Sequence, residues 1–224
     1  MIKIKDFSTR SPKHFEKDEI KKWTVDIVEQ IGELQNVLYA ERKHSVLLIL
    51  QGMDAAGKDG TTHAVFSGCS MTGVQAYSFK KPTEEEFAHD FLWRVHKQVP
   101  EKGIIKVFNR SHYEDILIQY VHGWIDDDKR EKRMAAINAF EECLQNDSST
   151  TVIKCFMHIS PEEQLKKFEE QKSSPGEEWI RLASSDTIKR PLCVLRVKLV
   201  AKGAGWKVPL RNLQLPAFRL AGEG

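Results

Sequence analysis

Apolar positions recur along the chain in two rhythms, and the alternation between them outlines a fold. Over residues 17–42 the apolar side chains Ile20, Trp23, Ile27, Ile31, Leu34 and Leu38 return every three or four positions, the spacing of one helical face. This helix is expected to pack across the core or against a second subunit. Residues 45–50 (Ser-Val-Leu-Leu-Ile-Leu) are instead apolar almost without a break, as in a strand covered on both faces. The pattern then predicts a helix over 58–68, a strand over 74–79, and a helix opening at Thr83-Glu84-Glu85-Glu86. There Thr83 can cap and the acids suit the positive helix start. A third strand follows at 104–108, helices at 113–122 and 129–144, and a fourth strand at 150–159. Ser160-Pro161-Glu162-Glu163 reads as a further helix start, with a cap and a first-turn proline. Strands alternating with helices predict an α/β fold, a parallel sheet with helices on both faces. Such sheets bind ligands beyond the carboxyl ends of their strands. Residues 189–224 mix a strand-like run at 195–200 with Gly203, Gly205, Pro209 and Pro216, and no definite element is predicted there.

Composition narrows the class. The 224 residues are 41% hydrophobic and 29% charged, the balance of a soluble globular chain. The apolar runs are too short to cross a bilayer, and the first residues lack the apolar stretch of a secretion signal. Cys69, Cys143, Cys155 and Cys193 form no CxxC pair, and the eight histidines show no metal-ligand rhythm. The expectation is a cytoplasmic protein with free thiols and no membrane partner. Charge is divided unevenly. Residues 181–224 hold nine Lys/Arg against Asp186 and Glu223, which leaves 25 basic and 30 acidic residues before them. The organisation read from this is an N-terminal helical extension (1–44), a core with a partial lid (45–180) and a divergent basic tail (181–224). The tail could bind a polyanion loosely, but no helix carries a nucleic-acid reading motif.

The chemistry centres on Gly52-Met53-Asp54-Ala55-Ala56-Gly57-Lys58, directly after the apolar strand and directly before a helix. This is the G-x-x-x-x-G-K spacing of a phosphate-binding loop. Its glycines permit a tight turn, so that main-chain N–H groups around Ala55, Ala56 and Gly57 converge on phosphate oxygens. The helix start, at Asp59 and Gly60, adds its positive end, and Lys58 adds a mobile charge. Position 59 is Asp, where such loops commonly place a Ser or Thr to hold magnesium. Asp54 is the expected replacement, since hard cations prefer carboxylate oxygen; a hydrogen bond to nearby backbone is the rival role for that carboxylate.

A second cluster, Phe108-Asn109-Arg110-Ser111-His112-Tyr113-Glu114-Asp115, ends the third strand and so projects at the same sheet edge. Arg110 has the planar fork that matches two phosphoryl oxygens, and Glu114 or Asp115 could contact magnesium. The plainer alternative pairs Arg110 with those acids. Asn109 and His112 join it as candidate phosphate- and nucleotide-binding residues, together with Lys80, Lys81 and Arg94. Arg94 is placed about three turns into the helix that starts at Thr83.

Together these segments resemble the polyphosphate kinase 2 family. The residues that carry the resemblance are Gly52-Met-Asp-Ala-Ala-Gly-Lys-Asp-Gly60, Phe91-Leu-Trp-Arg94, Phe108-Asn-Arg-Ser-His-Tyr-Glu114, and Ile159-Ser-Pro-Glu-Glu-Gln164 with Phe168. They cover about residues 12–170, and the second motif is similar to that of the branch that phosphorylates AMP and ADP. The resemblance implies a P-loop kinase fold, a three-layer sandwich with a helical lid, that depends on Mg2+ and assembles as a homodimer or homotetramer. It also implies transfer of a phosphoryl group between inorganic polyphosphate and AMP or ADP. Asp54, Lys58 and Arg110 match its catalytic residues, and Asp54 and Glu114 its metal region. Two departures stand out. Gln119-Tyr120-Val121 replaces a segment with an expected arginine, and Gln171, Glu177 and Ile180 replace basic lid residues around Pro175 and Trp179. These departures leave two alternatives: a P-loop kinase for another small acceptor, or an impaired protein that still binds nucleotide or polyphosphate.

Overall fold

A computed structural model describes residues 7–9 and 16–172. The expectations for the lid beyond residue 172, the basic tail, Cys193 and the run at 195–200 lie outside the described residues. In chain order the elements are α1 (Lys17–Glu41), β1 (Ser45–Gly52), α2 (Lys58–Phe66), β2 (Val74–Ser78), α3 (Glu84–Ala88), α4 (Trp93–His96), β3 (Ile105–Arg110), α5 (Glu114–Val121), α6 (Asp127–Asn146), β4 (Thr150–Met157) and α7 (Pro161–Lys172). The four strands form one parallel sheet in the order β2-β3-β1-β4.

The unbroken apolar character of β1 is explained by two cores, one on each face of the sheet. Leu47 and Ile49 point to one side, where they pack with Phe108, Val152, Val95, Ile116, Ile137, Phe140 and Leu144. Leu50 points to the other and meets Leu38, Ile105 and Val107, with Val46, Leu48 and Phe66 against them. Helices α1 and α2 therefore cover one face and α4, α5 and α6 the other, the three layers of the expected P-loop α/β fold. Each fully buried Leu, Ile or Phe of this kind stabilises by about 1.5–3 kcal/mol. A buried hydroxyl pair, Ser45 Oγ to Thr150 Oγ1 at 2.9 Å, pins the start of β1 to that of β4.

The helix starts expected at Thr83 and Ser160 are capped by those side chains, and α6 starts two residues before the expected 129, capped by Asp126. Thr83 and Glu86 form a reciprocal capping box, Asp126 accepts from the Lys129 N–H, and the Ser160 hydroxyl accepts from the Glu163 N–H.

Two expectations are corrected. The helix from Thr83 ends at Ala88, so Arg94 does not lie three turns into it. The Asp90 carboxylate accepts from the Leu92 N–H at 2.9 Å and the Asp90 carbonyl from the Trp93 N–H. That side-chain turn breaks the helix, and Arg94 sits in the short α4. On α1 the buried face is also rotated from the one expected. Of the six apolar residues singled out only Leu38 is buried, while Ile20, Trp23 and Leu34 are exposed. Gly32, Gln35 and Leu38 face inward instead. A Cβ on Gly32 would stand 2.5 Å from the Gly68 carbonyl oxygen, so backbone meets backbone there. Buried Gln35 accepts from the Ser70 N–H at 2.9 Å. Close approach through small residues, rather than the largest apolar stripe, selects the packed face.

Candidate active site

β1 lies between β3 and β4, so the connections leaving β1 and β3 diverge at its carboxyl end and open a crevice there. The loop of residues 53–57 fills this position, and its backbone is why the sequence reads as it does. Gly52 pairs across to Met157, and a Cβ on Gly52 would meet the Met157 carbonyl oxygen at 2.8 Å. Gly57 caps α2 in the left-handed region at φ 87°, which glycine adopts at no steric cost. Ala55 is also left-handed, at φ 61°, a conformation that costs a non-glycine residue roughly 1–2 kcal/mol. The Ala56 N–H closes the turn onto the Met53 carbonyl at 3.1 Å, and the Thr61 N–H begins the helix on Gly57. Such strain at the mouth of a helix is what a cradle of converging N–H groups requires.

Charged groups collect around this loop. The Lys58 ammonium donates to the carbonyls of Gly52 at 2.9 Å and Met53 at 3.0 Å. Burial holds it below the usual lysine range; Asp54, Glu114 and Asp59 oppose that shift, and Arg110 adds to it. Arg110, at the end of β3, reaches the Asp54 carboxylate at 3.4 Å, with both side chains about half exposed. Glu114 opens α5 and accepts from Gln51 Nε2 at 3.3 Å. Burial pushes its carboxyl above the usual range, limited by the Gln51 hydrogen bond and by the charges of Arg110 and Lys58. Asp54, Lys58, Arg110 and Glu114 thus form one electrostatic unit beyond the ends of β1 and β3.

The remaining candidates separate into three groups. Asp59, Gly60 and Asn109 belong to the support of α2. Asn109 donates to Asp59 Oδ1 at 2.6 Å and accepts from the Thr62 hydroxyl at 2.7 Å, gripping two residues one helical turn apart. Its position in β3 falls at a register shift, where Tyr77 pairs with Phe108 and Ser78 with Arg110. Lys80 and Lys81 are exposed, with Lys81 Nζ 5.7 Å from the ring centre of Trp124.

Arg94 and His112 are buried and paired with carboxylates. Arg94 is only 6% exposed. It grips both oxygens of Asp115 at 3.0 Å, and donates to the Lys80 carbonyl and to Glu86. A guanidinium buried without carboxylates would be costly, which is why it turns inward to them. Its bond to the Lys80 carbonyl holds the segment that follows β2 and carries both lysines. Asp115, the alternative to Glu114 as a metal ligand, is consumed by this pair and by Gln119. His112 is fully buried, its Nε2 3.2 Å from Glu141.

Several neighbours of the site were not singled out from sequence. Gln51 hides in the strand as its last polar residue before Gly52. Gln164 donates from α7 to the Asp54 carbonyl at 2.8 Å, docking that helix onto the loop. Arg133 donates from α6 to Gln119 and to the Asp115 carbonyl. Only Gln164 lay within a motif that sequence could flag. Among the described residues no group of three or more His, Cys, Asp or Glu is arranged to hold a metal, and no helix is long and apolar enough to cross a membrane.

Comparison with known proteins places this geometry. The chain is 47% identical over 150 residues to the AMP/ADP-polyphosphate phosphotransferase of Meiothermus ruber, a match that covers 67% of this chain and 56% of that one. It is 41% identical over 175 residues to the ADP-polyphosphate phosphotransferase of Rhodopseudomonas palustris, covering 73% and 60%. The crystal structure of polyphosphate kinase 2 from Arthrobacter aurescens superposes with a TM-score of 0.74 at 40% identity, over 80% of this chain and 65% of that one. The chain thus spans less than two thirds of the length of these relatives. The family model for polyphosphate kinase 2 matches residues 14–191, some way past the last legible motif near residue 170. With most of its length matched and the phosphate loop and second motif at one sheet edge, the chain belongs to the polyphosphate kinase 2 family.

Proposed function

We propose that this chain is a polyphosphate-dependent nucleotide kinase, passing a phosphoryl group between inorganic polyphosphate and AMP or ADP. The observation that carries the reading is the convergence of Lys58, Arg110, Asp54 and Glu114 on the mouth of a phosphate-binding loop. The phosphotransferase names of the relatives in Meiothermus ruber and Rhodopseudomonas palustris agree with it.

Phosphoryl transfer demands little covalent chemistry from a protein and much positioning and charge neutralisation. The loop N–H groups and the start of α2 would hold the phosphate chain. Lys58, now on its own loop carbonyls, can swing to a phosphoryl oxygen, since those two hydrogen bonds are replaceable ones on a flexible stem. Arg110, half exposed, offers its fork to the group in transit. An acceptor phosphate is already ionised near neutral pH, so no strong general base is needed, and Asp54 orients rather than deprotonates. Two carboxylates without a dedicated cage suit Mg2+, which commonly takes one or two carboxylates plus substrate phosphates. Asp54 and Glu114 are the residues that would hold it, and the ion would neutralise phosphate charge. Assembly as a homodimer or homotetramer is part of the same proposal, supported by the exposed apolar residues of α1.

The test is to incubate the full chain with long-chain polyphosphate, Mg2+ and either AMP or ADP, and to quantify the nucleotides by chromatography. Lys58→Ala should lower turnover by about 100-fold or more, the scale on which single charge-stabilising donors act. Equal turnover by Lys58→Ala would remove the loop from the mechanism. A folded wild type that makes no product would favour the impaired binding protein instead.

A further inference from the structure

Helix α7 brings a second lysine to the phosphate loop. Gln164 holds the helix there through the Asp54 carbonyl, and Lys167 follows three residues later on the adjoining face. A Cβ placed on Gly57 would stand 3.6 Å from Lys167 Nζ, the one atom near that position. The ammonium therefore lies directly over the left-handed turn that starts α2, where the helix presents its positive end to an anion.

The two lysines at this loop are held differently. Lys58 donates to the carbonyls of Gly52 and Met53. Lys167 makes no hydrogen bond or ion pair among the described residues, although its side chain is partly buried. Its neighbour Lys166 points outward and pairs with Glu170 at 3.8 Å. An ammonium set beside a helix start is repelled by that end unless an anion stands between them. From these observations we propose that Lys167 is a phosphate-binding residue, which closes on a phosphoryl oxygen held over Gly57. The proposal rests on the kinase reading only for the identity of its ligand. The oxygen belongs to a condensed phosphate chain, whether free polyphosphate or the tail of a nucleotide. A compact point charge on a flexible stem suits that task, since it follows the phosphate without demanding one geometry.

Calorimetric titration of the full chain with inorganic tripolyphosphate, and separately with ADP, both with Mg2+, tests this without requiring turnover. Lys167→Gln should weaken at least one ligand by roughly 10-fold or more, the scale of a hydrogen bond to a charged group. Lys167→Arg should restore most of it, and the loss should shrink as salt is raised. Lys166→Gln removes an equal charge one residue away and should leave both affinities unchanged. A loss confined to tripolyphosphate assigns Lys167 to the free chain, and one confined to ADP assigns it to the nucleotide. Lys167→Gln binding both ligands as the wild type does, while Lys58→Ala does not, overturns the proposal and leaves the loop reading standing. A wild type that binds neither ligand overturns both.

Discussion

A single carboxylate, Glu141, joins three parts of the molecule behind the second motif. From α6 it accepts from His112 and from the Tyr113 hydroxyl at 2.9 Å, both in the turn between β3 and α5, and from Lys154 on β4. Burial alone would raise its carboxyl, but the hydrogen bonds of His112 and Lys154, and then their charges, more than offset this and hold it below the usual range. Burial, with the charge and hydrogen bond of Glu141, drives the Tyr113 hydroxyl the other way, so it stays a donor. The His112 ring lies inside a box of Phe108, Tyr113 and Phe140, with Nε2 toward Glu141 and Nδ1 without a partner among the described residues. The turn so fixed is the one that aims Arg110 and Glu114. Glu141→Gln leaves the Lys154 ammonium largely buried without its charge partner, and should cost about 3–5 kcal/mol in denaturant unfolding at pH 7. A carboxyl whose pKa falls on folding stabilises above its unfolded value, near 4.3, and loses that contribution as pH falls through the folded one. The gap between wild type and Glu141→Gln should therefore narrow below about pH 4. A gap that stays constant with pH would mean that the charge of Glu141 contributes nothing.

Among the elements, α1 carries apolar surface that the described residues do not cover. Leu34 and Val37 lie one turn apart on its outer side, 49% and 47% exposed. Apolar surface gathered on one helix is what a second copy would bury. Leu34→Glu with Val37→Glu should lower the mass measured by light scattering while leaving the circular dichroism of the chain unchanged. An unchanged mass would exclude this surface as an interface. The same helix shows where sequence reasoning stops. Its period was legible because any amphipathic helix must repeat at 3.6 residues, yet its inward face was not. That face is set by where Gly32 and Gly68 allow backbones to touch, a fact held between two segments rather than within one. The phosphate loop was legible for the opposite reason. Its glycines, its lysine and its flanking strand answer to one local backbone shape. Arg94 and His112 were placed at the site because cationic side chains near a motif suggest ligands. The carboxylates they pair with, Asp115 and Glu141, lie 21 and 29 residues away and are reached only through the tertiary fold.

At the scale of the molecule, the sheet order and the loop make one argument. Putting β1 between β3 and β4 leaves its carboxyl end open to both neighbours, so residues from β1, β3, α5 and α7 meet around one loop, the proposed phosphate site. A ligand held there bridges elements from both layers, and so must stabilise the whole fold by mass action rather than one loop of it. Tripolyphosphate with Mg2+, at about 100 times its dissociation constant, should add about 2.7 kcal/mol. For a chain of this size each kcal/mol shifts the melting temperature by about 2–4 °C, so a rise of roughly 5–11 °C is expected. Lys58→Ala should abolish most of that rise. The measurement separates binding from transfer, because it needs no acceptor and no product. A shift that depends on Lys58, in a chain without turnover, would describe a protein that keeps the phosphate site and has lost the transfer step. A chain that turns over nucleotide yet shows no shift would place the donor elsewhere on the surface. Scanning calorimetry on wild type and Lys58→Ala, at two ligand concentrations, decides between these.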